Sequence, residues 1–232
     1  MEVVYEDNHI IVVNKAPGEI VQGDKTGDKP LSEIVGEWLK AKYNKPGNVF
    51  VGVVHRLDRP VGGLVIFAKT SKALARLNEM LRKGEIHKTY WAVTRNMPAE
   101  PEGLIHGYIR TVERSNKSYF STTPKDGAKE AKLSYRLISS SDRYHLLEVN
   151  LMTGRKHQIR VQLASIGCPI KGDLKYGDKR SNEDGSISLM ARHLNFVHPV
   201  SGKVIDLTAP VPAGSEETLW KYLESGADQK EK

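Results

Sequence analysis

Apolar and polar positions alternate with a period of two near both ends of the chain and through much of its second half. Stretches of helical period lie between. Val3 to Tyr5 and Ile10 to Asn14 flank the polar turn E-D-N-H, which predicts an opening hairpin. From Pro30 the apolar residues Leu31, Ile34, Val35, Trp38 and Leu39 fall on one face of a helix. Asp28 lies within reach to cap it and Pro30 fits its first turn. Leu74, Leu77 and Leu81 predict a second helix, with Thr70 or Ser71 as its cap and Gly84 as its stop. His87 to Val93 reads as a strand that puts Tyr90 and Trp91 on opposite faces.

Further strands are expected at Leu104 to Arg110, Lys117 to Ser121, Ala131 to Ser139 and Tyr144 to Leu151, separated by turn clusters such as P-K-D-G and S-S-S-D-R. A third helix is predicted over Lys156 to Ile166, with Ile159, Leu163 and Ile166 inward and Gly167 as its cap. Strands at Ser188 to His198 and Lys203 to Leu207 and a short helix at Glu216 to Glu224 complete the pattern. The result is an α+β fold in which an antiparallel sheet continues through most of the chain. Residues 1–224 are expected to form one domain, with Pro98 to Glu102 as the only internal boundary, and 225–232 a disordered polar tail.

Set into this pattern, the stretch Val53 to Thr70 places His55, Arg56, Asp58 and Arg59 between the apolar runs Val49 to Val54 and Leu64 to Ala68. An aspartate between two arginines, in a turn fixed by Pro60 and Gly62-Gly63, favours an ionised carboxylate. Such a group serves as a nucleophile or a base, or it closes the turn as a structural ion pair, and spacing alone leaves both readings open. A second basic cluster, Arg155, Lys156, His157 and Arg160, gathers at the start of the third predicted helix. Backbone N–H groups point outward there, so it suits either an anion or a stabilising salt bridge. His157 has no second histidine or carboxylate at helical ligand spacing, so no metal site is expected.

Composition narrows the function. With 39% hydrophobic residues in 232, a real core is available. No run of 18 apolar residues exists, so no helical membrane span is expected, and the acidic amino terminus enters a strand at once, leaving no room for a signal peptide. The single cysteine, Cys168, precludes an internal disulfide and fits a reducing cytoplasm. Thirty-five Lys and Arg against 28 Asp and Glu give a net charge of +7, which favours a polyanionic partner.

H-R-L-D-R-P followed by glycine and an apolar strand resembles the active-site motif of the RluA-type RNA pseudouridine synthases. The opening E-D-N-H-I-I-V-V-N-K-A-P-G, the strand K-T-Y-W-A and the stretch T-G-R-K-H-Q-I-R then G-C-P-I-K-G-D-L-K-Y-G are similar to further signatures of that family. So is the L-x-A-x-x-L-x-F-x-H-P-x-S-G element with its closing A-P-V-P. The resemblance runs from Val4 to Pro212. It implies the pseudouridine synthase fold, a mixed, mainly antiparallel central sheet flanked by helices and loops, acting as an isomerase on structured transfer or ribosomal RNA. It further implies Asp58 as the catalytic residue, Tyr90 packed on the target base and Arg160 paired with the aspartate. Arg56 is expected to hold the backbone of the flipped uridine, with His55, Arg59, Arg155, Lys156 and His157 as further RNA-binding candidates. No cofactor is expected, the protein is expected to be monomeric and cytoplasmic, and recognition falls to the catalytic domain because no small basic domain precedes it.

The match departs from the family at Val61 and Gly62, at Gln162 and Cys168, and at Met190, positions that shape the RNA site rather than the chemistry. Gly63 to Thr70 also copies a phosphate-loop pattern except at Ala68. Its apolar strand character denies the curled backbone such a loop needs, so no nucleotide cofactor is expected. A glycosidase would need a second carboxylate in such a motif. A non-catalytic RNA-binding protein of the same fold is the closer rival, although it gives no reason for Asp58, Tyr90 and Arg160 to occur together.

Overall fold

The computed structural model describes residues 1–228. In chain order the elements are β1 (Glu2–Glu6), β2 (Ile10–Lys15), α1 (Leu31–Lys42), β3 (Gly52–Val53), β4 (Gly62–Ala68), α2 (Ser71–Lys83), β5 (His87–Thr94), β6 (Glu102–Val112), β7 (Lys117–Ser121), β8 (Lys129–Ser140), β9 (His145–Leu151), α3 (Gln158–Ser165), β10 (Leu189–Val197), β11 (Val204–Thr208) and α4 (Glu217–Asp228). They make an α+β fold of two compact units, Met1–Lys88 with Ala191–Pro210, and Thr89–Met190 with the segment from Val211 on.

In the first unit the strands lie in the order β1-β2-β4-β10, with β3 also on β4 and β11 on β10. The β1–β2, β2–β4, β3–β4 and β10–β11 pairings are antiparallel. Every residue of β4 is buried, which explains why this strand reads as an unbroken apolar run rather than an alternation. Gly63 has a φ of +110°, and a Cβ there would lie 2.6 Å from the backbone nitrogen of Ala191 and closer still to its carbonyl oxygen. Only glycine permits this conformation and this approach of β10. Helix α2 starts on Thr70, whose Oγ1 accepts from the Ala73 N–H at 3.1 Å, and stops at Gly84 in the left-handed conformation.

The second unit holds the antiparallel order β5-β9-β8-β6-β7. Helix α3 packs beside β7, joining Val161 to Ile109, Ala131 and Tyr176 in one buried cluster. Helix α4 packs on β8, where Gly226 lies against Ser139.

Several sequence expectations need correction. Asp28 does not cap α1, whose cap position is Pro30, because its carboxylate is engaged by Arg59. Strand β3 is only two residues long, since the chain leaves the sheet after Val53 to position His55. Pro98 to Glu102 marks no boundary; the units divide at Lys88, Met190 and Pro210. Helix α4 runs to Asp228 with Ala227 buried, so residues 225–228 belong to a packed helix and not to a tail. The rest of the expected tail, 229–232, lies outside the described residues.

Candidate active site

In the first unit the chain between β3 and β4 forms the turn that carries Asp58. The Val61 N–H donates to the Asp58 carbonyl at 3.0 Å, closing it. Val61 and Leu57 are buried, Asp58 is half-buried and Arg56 is exposed, so the motif turns its apolar residues inward and its charged ones toward solvent.

The underside of the turn rests on a residue the sequence reading passed over. Lys15, at the end of β2, is 1% exposed. Its Nζ donates to three carbonyls: Val61 at 2.6 Å, Arg59 at 3.1 Å and Ala16 at 3.0 Å. Burial pulls its pKa down to about 8, against the nearby negative charges of Glu19 and Asp58. A lysine ending an otherwise apolar strand, inside N-K-A-P-G, was the available signal.

The other motif residues divide by exposure. Where β3 ends, the His55 ring replaces a strand neighbour: its Nε2 accepts from the Ile66 N–H of β4 at 3.2 Å. Burial, with a smaller effect from the positive charge of Lys88, pushes its pKa down to about 3, so His55 is a neutral acceptor built into the strand. Arg59 turns to the loop before α1, donating to Asp28 at 2.6 Å and to the Thr26 hydroxyl at 2.8 Å.

In the second unit Tyr90 sits in β5 opposite Val149 and is 5% exposed. Helix α3 begins at Gln158, two residues later than the periodicity predicts, because His157 takes a left-handed conformation with φ 54°. Arg155 and Lys156 therefore lie ahead of the helix, both exposed; Arg155 Nε donates to the Glu130 carbonyl at 2.8 Å and Lys156 pairs with Glu113 at 3.3 Å. His157 is buried, its Nδ1 2.8 Å from the Tyr176 hydroxyl.

Arg160 is also buried. Its Nε and an Nη hold the two oxygens of Asp173 at 2.7 and 2.9 Å, and its guanidinium lies 5.1 Å from the centre of the Tyr176 ring. Asp173 and Tyr176, the first of them 1% exposed, fix this arginine and were not singled out from the sequence. Both belong to the quoted stretch G-C-P-I-K-G-D-L-K-Y-G, where an aspartate after a glycine was the visible sign. Gln162 turns its amide inward, donating to the carbonyls of Ile105 at 3.1 Å and Ala131 at 3.3 Å. No group of three or more His, Cys, Asp or Glu suited to a metal ion occurs among the described residues.

Comparison with known proteins identifies the class to which this fold and sequence belong. Residues 9–165 match the family described as RNA pseudouridylate synthase. A ribosomal large subunit pseudouridine synthase D of Zymomonas mobilis is 32% identical over 96% of this chain and 73% of its own length. A tRNA pseudouridine synthase C of Pectobacterium carotovorum is 31% identical over 90% of this chain and 58% of its own length. Human RNA pseudouridylate synthase domain containing 4 shares the fold, with a TM-score of 0.78 at 22% identity over 98% of this chain and 93% of its own. The chain belongs to the RNA pseudouridylate synthase family.

Proposed function

We infer that this protein converts specific uridines of structured RNA to pseudouridine, with Asp58 as the catalytic carboxylate. The observation that carries this reading is the H-R-L-D-R-P turn, held rigid from below by Lys15, in a chain of this family. The reaction breaks the bond from uracil N1 to C1′ of the ribose, turns the base and joins C5 to C1′. The proton leaving C5 is balanced by one gained at N1, so the product is an isomer. An ionised Asp58 serves by attacking C6 or C1′, or by removing the 2′ proton.

The target base has to leave its stack, at a cost of a few kcal/mol that is least in a loop or bulge. Arg56, exposed beside the carboxylate, is assigned to the vacated space. Tyr90 is assigned to pack on the uracil and Arg160 to oppose the charge of Asp58; these two roles rest on the sequence motifs. Arg59, Arg155 and Lys156 are assigned to the RNA backbone. His55 and His157 are assigned internal roles, because each ring nitrogen that bonds does so within the protein. The relatives' names divide between ribosomal and transfer RNA, and the substrate is assigned to these two classes. The enzyme is taken to work as a cytoplasmic monomer without a cofactor; among the described residues no helix is long and apolar enough to cross a membrane.

The test is pseudouridine mapping by carbodiimide-blocked primer extension across total RNA of a deletion strain, its parent, and the deletion complemented with Asp58→Asn. The expected result is a uridine whose block disappears on deletion and stays absent with Asp58→Asn. Full modification by Asp58→Asn would overturn the assignment of the carboxylate.

A further inference from the structure

On the α3 side of the second unit, the outer strand β7 and helix α3 enclose an open groove of about 270 Å³. Its walls are Phe120, Val161 and Ala164; the exposed ring of Tyr119 and the 8% exposed edge of Tyr176 also line it. The hydroxyls of Ser118 and Ser165 are spent inside the protein on the carbonyls of Lys156 and Gln162, so the polar group at hand is the ammonium of Lys117. The Lys117 Nζ lies 5.8 Å from the Tyr119 ring centre and 5.6 Å from that of Tyr176, at the mouth of an otherwise apolar slot.

The geometry points to this groove as a binding site for one unpaired nucleotide of the substrate RNA, the base lying in the slot and its phosphate on Lys117. Shape and charge favour this occupant together. Aromatic rings interleaved with a cation are how proteins take up single nucleotides without reading an entire sequence. The volume is below the range of ~300–1,000 Å³ typical of sites that engulf larger ligands. Lys156 lies in the chain segment that Ser118 Oγ holds by the Lys156 carbonyl at 2.8 Å, and its ammonium pairs with Glu113 at 3.3 Å, so the phosphate is assigned to Lys117 alone. A protein strand adding to β7 would gain nothing from the ammonium over two rings.

Position gives the site its use. Tyr176 belongs both to the groove and to the setting of Arg160, whose guanidinium it faces at 5.1 Å. A nucleotide held in the groove fixes the RNA strand relative to Tyr176, which in turn faces Arg160. Given the function proposed above, on which this inference rests, it selects RNAs that offer an unpaired nucleotide to the groove.

The experiment measures binding of fluorescein-labelled total RNA from the deletion strain, and separately a labelled oligouridine, by anisotropy. The proteins are wild type, Ala164→Trp, which fills the slot, Tyr119→Ala and Lys117→Glu, with Ser225→Ala, exposed on α4, as a control. Filling the slot or removing the exposed ring is expected to weaken binding of both probes about tenfold, the equivalent of one lost base stack. Ser225→Ala is expected to bind as wild type does. If Ala164→Trp does not fold, Tyr119→Ala and Lys117→Glu, at solvent-accessible positions, decide the matter. Unchanged affinity in variants whose melting temperature matches wild type overturns the site. So does a variant that changes only the sedimentation of the free protein, because the groove then joins two copies. Wild-type protein that binds RNA through the groove but isomerises no uridine would instead overturn the proposed function and leave the groove standing.

Discussion

The ammonium of Lys15 donates to the carbonyl of Val61 at 2.6 Å and to that of Arg59 at 3.1 Å, gripping the turn just after Asp58 from inside the protein. Lys15→Met is expected to separate activity from stability. It leaves three carbonyls without their donor, at about 1–3 kcal/mol for each that stays buried, and in return removes the cost of burying a charge. Turnover, measured as pseudouridine formed per enzyme at saturating RNA, should fall more than tenfold while the melting temperature moves little. The pH dependence follows from the same residue. Its folded-state pKa is about 8 against 10.5, so between these values the unfolded chain binds more protons and stability rises with pH. Urea titrations at pH 8 and pH 10 should show this gain in wild type and a smaller one in Lys15→Met.

His55 gives a second pH signature with a different window. Its pKa of about 3 in the fold lies below the ordinary 6.5, so the unfolded chain takes up a proton that the native strand refuses. Stability contributed by the neutral ring is therefore complete above about pH 6.5 and lost as the pH falls toward 3. His55→Gln keeps an acceptor for the Ile66 N–H but does not titrate. The drop in urea midpoint between pH 7 and pH 5 should be smaller in this variant; an equal drop would rule the histidine out as its source.

The pair Arg160–Asp173 is buried on both sides, at 6% and 1% side-chain exposure. Asp173→Asn takes the carboxylate from a buried guanidinium and should cost about 3–5 kcal/mol. Replacing both, as Arg160→Met with Asp173→Leu, should recover much of that stability in thermal unfolding while leaving no pseudouridine formation. Activity in the double variant would remove Arg160 from the proposed mechanism.

Gly63→Ala should be the most damaging small substitution in the first unit. A side chain there meets both the positive φ of +110° and the backbone of Ala191, neither of which can yield without moving β10. A loss of at least about 3 kcal/mol is expected by chemical denaturation. The neighbouring Gly62→Ala, whose added Cβ would lie 3.2 Å from the Lys15 carbonyl oxygen and 3.3 Å from Pro17, should cost less.

The contrast between these residues also shows which features could be read from sequence. Period-two and helical patterns located most elements because burial on one face leaves a local trace, as in Leu31, Val35 and Leu39 of α1. Asp58 was visible because its turn is written in consecutive residues. Lys15, Asp173 and Tyr176 were not, because their roles depend on contacts with segments 13–58 residues away and alternation says nothing of which polar side chain turns inward. His157 reads two ways, as a hydrogen-bonded structural histidine and as part of a basic cluster for RNA, and the structure places it in the first role. A basic residue at a helix start suggests an anion site, yet a left-handed backbone turns this ring inward to Tyr176.

The first unit is assembled from two stretches of chain, and this orders events during synthesis. After Lys88 the ribosome adds ~100 residues before Ala191 arrives, roughly 5–20 s at about 5–20 residues per second. Until then the fully apolar β4 has β2 on one side and an incomplete edge on the other. A nascent chain held in that state offers an open strand to its neighbours on a polysome. Slow codons between residues 88 and 191 would lengthen this exposure.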